Sequence, residues 1–190
     1  MADIKTWANG QKVTPADMKR YVSDVIRGFL EPPACRRTVA NMASEQKAAD
    51  TWHVVKFDKP GMGGGKPHSY DNTGSLMSKE DTKIHAPIDG LYEVAFTLVA
   101  RSVGSSLPFC VAAVNKNQTA GNTIAATAFL RIGLGRASTV EKIGSGSATI
   151  KMKAGEFVSL AVAPTSPMCL GDGTYAQMIS HMELRWVGVG

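Results

Sequence analysis

The chain has 190 residues, of which 44% are hydrophobic and 19% charged, with 19 glycines and a formal net charge of +5. This length is enough for one full hydrophobic core with a small attachment, and the composition is that of a globular, turn-rich protein. No apolar run in the sequence approaches the roughly 20 residues that cross a bilayer, which excludes a transmembrane helix.

The positive net charge does not by itself indicate a nucleic-acid-binding protein. Lysines and arginines are scattered along the chain and form neither a basic helix nor a basic strand with interleaved aromatics. The first ten residues, MADIKTWANG, lack the apolar centre of a secretory signal peptide. We therefore expect no nucleic acid and no membrane as partner, and a soluble protein that is not secreted by the usual route.

The first predicted element in chain order is an amphipathic helix over residues 15–30. Thr14 is a suitable N-cap, Pro15 stands where a missing N–H costs nothing, and Asp17 favours the positive end of a helix. The Pro-Pro pair at 32–33 ends the helix. Apolar side chains follow one another at helical spacing along one face: Met18, Tyr21, Val22, Val25, Ile26, Phe29 and Leu30.

This apolar stripe must be buried against something, because an isolated helix of about 16 residues is marginal in water. Two partners remain open at this point. The stripe packs either on the chain's own sheet or on another subunit.

The rest of the chain predicts strands. Residues 35–49 have weak periodicity and are interpreted as a connector with at most one strand, at 35–39. Further on, short β-rich segments are bounded by turn residues. The predicted strands are 51–57, 75–77, 82–86, 90–100, 109–115, 124–133, 146–152, 157–164 and 177–187. With a single helix, this spacing predicts an antiparallel sandwich or barrel.

The most clearly predicted strand follows the turn at Asp89-Gly90. Asp-Gly between two apolar runs is a strong turn signal, because Gly adopts positive φ without a Cβ clash. Beyond the turn, alternate residues fall on opposite faces of the strand. One face carries Tyr92, Val94, Phe96 and Leu98, and the other carries Leu91, Glu93, Ala95 and Thr97. The first set is larger and more apolar, so we expect that face to form core.

No catalytic, cofactor-binding or metal-binding constellation stands out, and we predict that the chain is not an enzyme. The motifs H-E-x-x-H and G-x-S-x-G are absent, and the glycine-rich loop over 59–68 departs from phosphate-loop spacing. The histidines are isolated in the sequence: His53, His68, His85 and His181. The three cysteines, Cys35, Cys110 and Cys169, are widely spaced and predict neither a disulfide framework nor a zinc site.

Two features leave open whether the chain carries or binds a glycan. Asn117-Gln118-Thr119 matches the N-glycosylation sequon, a frequent accidental match. The aromatic side chains of Trp52, Phe109 and Trp186 could contact a sugar, although packing in a core or a subunit interface is the commoner role of such residues.

A series of short motifs runs in order from residue 51 to the C-terminus. The most specific are Pro-x-x-Gly-x-Tyr at 87–92 and Ala-Gly-Glu-x-Val-x-Leu at 154–160. The others are Phe57-Asp58, Tyr70-Asp71-Asn72, Val114-Asn115-Lys116-Asn117 and Ser180-x-Met182-x-Leu184. Together they resemble the C1q and tumour-necrosis-factor (TNF) jelly roll. The resemblance implies a homotrimer whose last strand lies near the symmetry axis, which makes Met182 and Leu184 candidate trimer-interface residues.

A second pattern lies in the N-terminal segment. It reads Trp7-x-x-Gly10-x-x-Val13-Thr14-x-x-Asp17-Met18-x-x-Tyr21-Val22-x-Asp24, followed by Phe29-Leu30-x-Pro32-Pro33-Ala34-Cys35. This pattern resembles the opening of structural proteins of tailed bacteriophages, which docks a trimeric appendage onto the virion. The resemblance implies a set of virion-docking residues: Trp7, Met18, Tyr21, Val22, Val25, Ile26 and Phe29.

The two resemblances combine into one expectation for fold and function. We expect a mainly β chain with an N-terminal arm and docking helix at 1–38, a connector at 39–50, and an antiparallel C1q/TNF-like jelly-roll sandwich at 51–190. The expected protein is a homotrimeric structural protein at the phage particle surface, made in the host cytoplasm. Its partners are other copies of itself, other virion proteins and a host cell-surface glycan.

Three roles remain open for such a protein. The first is a minor tail or fibre-tip protein that adheres to the host, with the loops at 59–68 and 166–174 facing solvent. The second is a capsid decoration protein that stabilises the shell. The third is a depolymerase of host polysaccharide, which would need carboxylate pairs that meet across the assembled trimer.

Overall fold

The computed structural model describes residues 12–19, 30–39, 42–57, 69–102, 109–118, 128–134, 141–170 and 180–190. These residues form two antiparallel sheets preceded by a short helical segment. The elements are α1 Pro15–Met18, β1 Ala34–Thr38, β2 Met42–Lys47, β3 His53–Val54, β4 Tyr70–Asp71, β5 Ile84–His85, β6 Gly90–Ser102, β7 Cys110–Lys116, β8 Ala128–Leu134, β9 Glu141–Met152, β10 Phe157–Pro164, β11 Met168–Leu170 and β12 His181–Gly188.

The larger sheet is built on β6, its longest strand. Strand β9 pairs along one edge of β6, from Gly90↔Met152 to Arg101↔Glu141, without a register shift. Strands β12 and β11 share the other edge of β6. Strand β1 pairs with β12 and with β4, and β2 pairs with β11. The smaller sheet has the order β3-β10-β7-β8, with β5 also paired to β10.

The hydrophobic core lies between the two sheets. On β6, the side chains of Tyr92, Val94, Phe96 and Leu98 are at most 2% exposed, so the predicted core face of this strand is confirmed. The smaller sheet contributes Ala112, Val114, Val158, Leu160 and Val162 to the same cluster. The Tyr92 hydroxyl donates to the carbonyl oxygen of Ile88 at 2.8 Å, and burial raises the pKa of Tyr92 to about 12.

The sandwich begins at Ala34, before the domain boundary predicted at residue 51. Strand β1 pairs with β12 from Ala34↔Arg185 to Thr38↔His181, and β2 pairs with β11. Residues 39–50 are therefore more than a connector, because the whole of β2 lies within them. Strand β1 occupies almost the same residues as the one strand considered for this stretch, at 35–39, but Arg36 and Arg37 interrupt its apolar pattern, so the sequence did not assign it to the sandwich.

Arg37 is a charged residue inside the sandwich. Its side chain is 0% exposed, and its guanidinium donates to the carbonyl oxygens of Phe57 at 3.2 Å, of Lys83 at 3.3 Å and of Glu80. The guanidinium carbon also lies 5.5 Å from the centroid of the Phe57 ring. These contacts hold β1 against Phe57 and against the segment at 80–83 that leads into β5.

Two further segments differ from the sequence prediction. Residues 75–77 were predicted as a strand but form a turn. The Asp71 carboxylate holds this turn, because it accepts hydrogen bonds from the backbone N–H and the hydroxyl of both Thr73 and Ser78. Conversely, Met168 and Leu170 were predicted in a solvent-facing loop but belong to β11 and are 0% exposed.

The helix begins where the sequence predicts. Thr14 Oγ1 accepts a hydrogen bond from the Asp17 N–H at 3.1 Å, and Asp17 Oδ2 accepts one from the Thr14 N–H at 3.2 Å, which forms a capping box. Residues 20–29 lie outside the described residues, so the predicted stripe is seen only at Met18 and Leu30. Within the described chain, no helix is long and apolar enough to cross a membrane.

Candidate functional site

The last strand, β12, has an inner and an outer face. The side chains of Met182 and Leu184 are 0% exposed and belong to the core between the sheets. Successive side chains of a strand point to opposite faces, so His181, Glu183 and Arg185 lie on the outer face of the larger sheet. Met182 and Leu184 are thus occupied within their own chain and are not available for the subunit contact predicted for them.

Small side chains form a shallow depression of about 400 Å³ in this outer face. In the strand register, Ala95 of β6 lies between Ser147 of β9 and Glu183, and Thr97 lies between Ser145 and His181. The lining residues are Ala95, Phe96, Thr97, Ser145, Gly146, Ser147 and His181. Because most of these side chains are short, another protein surface can approach the sheet closely here.

An ion pair borders the depression on the side of β1. Arg36 Nη2 lies 2.7 Å from Glu183 Oε2, and Arg36 Nε donates to the same oxygen at 2.8 Å. The Tyr70 hydroxyl donates to Glu183 Oε1 at 2.9 Å. Burial, together with this hydrogen bond, raises the pKa of Tyr70 to about 12. Both carboxylate oxygens of Glu183 are therefore engaged, and the network braces β4, β1 and β12.

The chain enters the sandwich at one end, where several hydrogen bonds hold it. The Trp186 N–H donates to the Pro33 carbonyl oxygen at 2.8 Å, and Asn72 Nδ2 donates to the Pro32 carbonyl oxygen at 2.9 Å. Large apolar side chains on the neighbouring turn and chain segments are exposed: Leu30 by 77%, Ile88 by 40%, Val187 by 46% and Val189 by 66%. We call this end of the jelly-roll sandwich the entry end. Its exposed surface is more apolar than is usual for loops that face only solvent.

The predicted virion-docking residues fall almost entirely outside the described residues. Met18 is described, and it is 49% exposed. The others, Trp7, Tyr21, Val22, Val25, Ile26 and Phe29, are not among the described positions. Their docking role stays a prediction.

The described residues show no reactive cluster. Among them, no three His, Cys, Asp or Glu side chains are grouped so as to hold a metal ion. His85 Nε2 lies 3.2 Å from Glu80 Oε1, and the His85 ring packs on Phe157. The cysteines are buried and free, and burial raises the pKa of Cys35 and of Cys110 to about 12, which disfavours the reactive thiolate.

The candidate glycan residues have different surroundings. The Asn117 amide donates to Glu156 Oε1 at 3.0 Å, and its oxygen accepts from the Phe157 N–H at 3.0 Å, so the sequon side chain is used by the fold. Trp52 packs against the small cluster of Ala113 and Ala161 on the smaller sheet, and Trp186 packs against the main core. Phe109 is 37% exposed.

Comparison with known proteins identifies the fold. No protein-family model matches the chain, and no curated protein matches it. The crystal structure of murine APRIL at pH 5.0 superposes with a TM-score of 0.55 at 8% identity, over 82% of this chain and 98% of that one. The globular domain of zebrafish complement 1qA gives a TM-score of 0.55 at 13% identity, over 83% and 99%. At these identities the likeness shows the fold alone, and it confirms the predicted C1q/TNF-like jelly-roll sandwich.

Proposed function

We propose that this chain is a homotrimeric structural protein of a tailed-phage particle, which displays its jelly-roll head at the virion surface and is anchored by its N-terminal helix. The observation that carries the proposal is the arrangement of the head. It has an outer face of short side chains on one sheet, and an apolar entry end at which the chain that follows the predicted helix joins the sandwich.

The outer face of the larger sheet supports self-association. Ala95, Thr97, Ser145 and Ser147 leave room for a second protein surface, and the resemblance to the C1q and TNF family implies three copies. Rotational symmetry would bury this face in every copy at once. Light scattering on the purified protein should therefore give about three times the 20.2 kDa chain mass. A stable monomer at micromolar concentration contradicts the homotrimer.

The entry end supports the anchoring role of the helix. Only Glu31, Pro32 and Pro33 separate Leu30 from strand β1, so a helix that ends at Leu30, as the sequence predicts, would join the sandwich at the entry end. Hydrophobic burial of both against a virion component would stabilise attachment.

Substitutions on the apolar stripe test the anchor. Val25→Asp and Ile26→Asp should sharply reduce incorporation into particles, because each puts a charge on the surface that is proposed to be buried. The matched control is Ser23→Asp, on the polar face of the predicted helix, which should incorporate normally. Quantitative blotting of purified particles measures occupancy, and circular dichroism checks the fold of the purified variants. Normal occupancy of the Val25 and Ile26 variants would refute the anchor.

The same trimer can serve on the tail or on the capsid shell, and the head fold is compatible with both. We favour the tail tip, with host-surface adhesion, because an anchored head leaves the end opposite the entry end free for contact. Electron microscopy of particles in which the jelly-roll domain of this protein carries an antibody label decides between the two locations. Label density on the capsid shell would contradict the tail proposal, and label density on the tail would contradict capsid decoration.

A further inference from the structure

Two opposite charges stand side by side on the outer face of the larger sheet, next to the depression. Arg185 of β12 is paired in register with Glu93 of β6, and both side chains are exposed. Ala34 of β1 and Thr149 of β9 continue this row of the sheet on either side. The positive charge of the row therefore lies toward β1, and the negative charge lies toward β9.

We propose that Glu93 of one copy forms an ion pair with Arg185 of the next copy, and that this pair, repeated at each contact, sets the register between the copies. The inference rests on the proposed homotrimer. It deepens that proposal by naming the charged side chains through which the outer faces recognise one another.

Rotational symmetry explains why the two charges meet between copies. In a closed ring of three identical chains, each copy presents one side of its contact surface to one neighbour and the other side to the second neighbour. A rotation about an axis along the strands keeps each row of the sheet at its own level. The β1 side of the row, with Arg185, then faces the β9 side of the same row in the next copy, with Glu93.

The neighbouring rows leave room for this contact. Ala95 is the next outer-face residue of β6 after Glu93, and it lines the depression together with Ser147. A long arginine side chain from another copy can lie across these short side chains and reach Glu93. Lys151, another positive charge on this face, is paired with Leu91 in the row on the opposite side of Glu93. It leaves the approach from the depression open.

Burial of the face makes the ion pair matter. A charge that is covered without a partner is strongly destabilising, whereas a partner of opposite charge offsets much of that cost. Glu183, in the adjacent row, already has both carboxylate oxygens engaged by Arg36 and Tyr70. The exposed carboxylate of Glu93 is thus the better partner for Arg185 of a second copy.

Charge reversal tests the pair by sedimentation velocity of the full chain. Glu93→Arg and Arg185→Glu should each weaken association at least about tenfold, because each places like charges together at every contact. The double variant restores opposite charges and should assemble within about threefold of the unmodified chain. The matched control is Arg131→Glu at an exposed position of β8 in the smaller sheet, which should assemble normally.

A mixture of the two single variants separates contacts between copies from contacts within a chain. Each single variant carries like charges at positions 93 and 185 of its own chain, and mixing does not change this. Between copies, the substituted arginine of one variant meets the substituted glutamate of the other. Two of the three contacts in a mixed trimer then join opposite charges, so the mixture should associate more strongly than either variant alone.

The outcomes distinguish the ion pair from the homotrimer itself. Single variants that assemble as strongly as the unmodified chain overturn the ion pair and leave the homotrimer intact. Weakened variants that gain nothing on mixing show that the two charges act within one chain, which also overturns the ion pair between copies. A monomeric unmodified chain contradicts the homotrimer and the ion pair with it. Circular dichroism of every variant should match that of the unmodified chain, because both substituted positions are exposed.

Discussion

Gly90 is the residue at which the start of β6 meets the end of β12. A Cβ atom at this position would lie 2.1 Å from Trp186 Nε1 and 2.6 Å from the Gly188 carbonyl oxygen. Its φ of +156° is also a backbone conformation that side chains disfavour. The turn predicted at Asp89-Gly90 thus depends on glycine for space as well as for conformation.

Gly90→Ala should lower the free energy of unfolding by about 2 kcal/mol or more, because both the indole and the backbone of β12 have to move. Gly188→Ala is the matched control, since a Cβ at Gly188 meets nothing within 4 Å, and it should stay within about 0.5 kcal/mol of the unmodified chain. Urea denaturation measures both variants. Equal stability of the two would refute the close contact.

Asp71 is a partly buried carboxyl group that gives the jelly-roll sandwich a predictable response to acid. Partial burial pushes the pKa of its carboxyl upward, but hydrogen bonds from Thr73 and Ser78 outweigh burial and hold the pKa below its usual value of 3.8. Because the pKa is lower in the folded chain than in the unfolded one, the stabilisation is fully present above about pH 4. It is lost as the pH falls through the folded-state pKa.

Asp71→Asn should therefore lower the free energy of unfolding by about 1–2 kcal/mol at neutral pH, since the amide cannot accept the same set of hydrogen bonds. The difference from the unmodified chain should shrink below about pH 4, as the unmodified carboxylate becomes protonated. Urea denaturation between about pH 2 and pH 7 measures both chains. A difference that is independent of pH would show that the charge of Asp71 does not matter.

At the scale of the element, β1 places two consecutive arginines in opposite surroundings. Arg36 lies on the outer face and pairs with Glu183, whereas Arg37 points inward and donates to three backbone carbonyl oxygens. A partly exposed arginine contributes little to the free energy of unfolding, because water screens its ion pair. An arginine that satisfies buried carbonyl groups cannot be removed without leaving them unpaired.

Arg37→Met should cost about 3 kcal/mol of unfolding free energy, while Arg36→Met should cost no more than about 1 kcal/mol. Thermal and urea unfolding of the two variants gives the comparison. Arg37→Lys keeps the charge but lacks the planar guanidinium with its several N–H donors. We expect its free energy of unfolding to lie between those of the unmodified chain and Arg37→Met. If Arg36→Met proved the more damaging variant, the assignment of the inner and outer faces of β1 would be wrong.

At the scale of the whole molecule, a substitution on the outer face of the larger sheet can weaken assembly without affecting the folding of the single chain. Ala95 lies on this face, between Ser147 and Glu183, and its side chain is partly exposed in the single chain. A long charged side chain there can extend into solvent when the chain is alone. It would be buried without a partner if the face were covered.

Ala95→Arg should therefore leave the unfolding of the single head nearly unchanged and weaken the proposed trimer by about 3–5 kcal/mol. Light scattering should give the mass of one chain at concentrations where the unmodified protein gives that of three. Ser166→Arg, at an exposed position between β10 and β11, is the control and should remain a trimer. A trimeric Ala95→Arg variant would move the contact to another surface.

The sequence alone predicts the parts of this protein whose signals are local. The capping residues Thr14 and Asp17, the turn at Asp89-Gly90 and the core face of β6 all depend on side chains that are neighbours in the chain. Strand β10 occupies the predicted 157–164, because turn residues bound it on both sides. The order of these motifs was enough to indicate the jelly-roll class, which the comparison with solved structures confirms.

Only the tertiary structure decides which surfaces those elements share. Strands β1, β2 and β11 are short or interrupted by polar residues, and they are strands because β12 and β6 provide partners from far along the chain. The resemblance to the C1q and TNF jelly roll implies a subunit interface at Met182, but this side chain lies in the core between the two sheets, and the neighbouring His181 faces outward instead. The physical reason is that hydrophobic periodicity specifies two faces of a strand, whereas long-range pairing decides what each face meets.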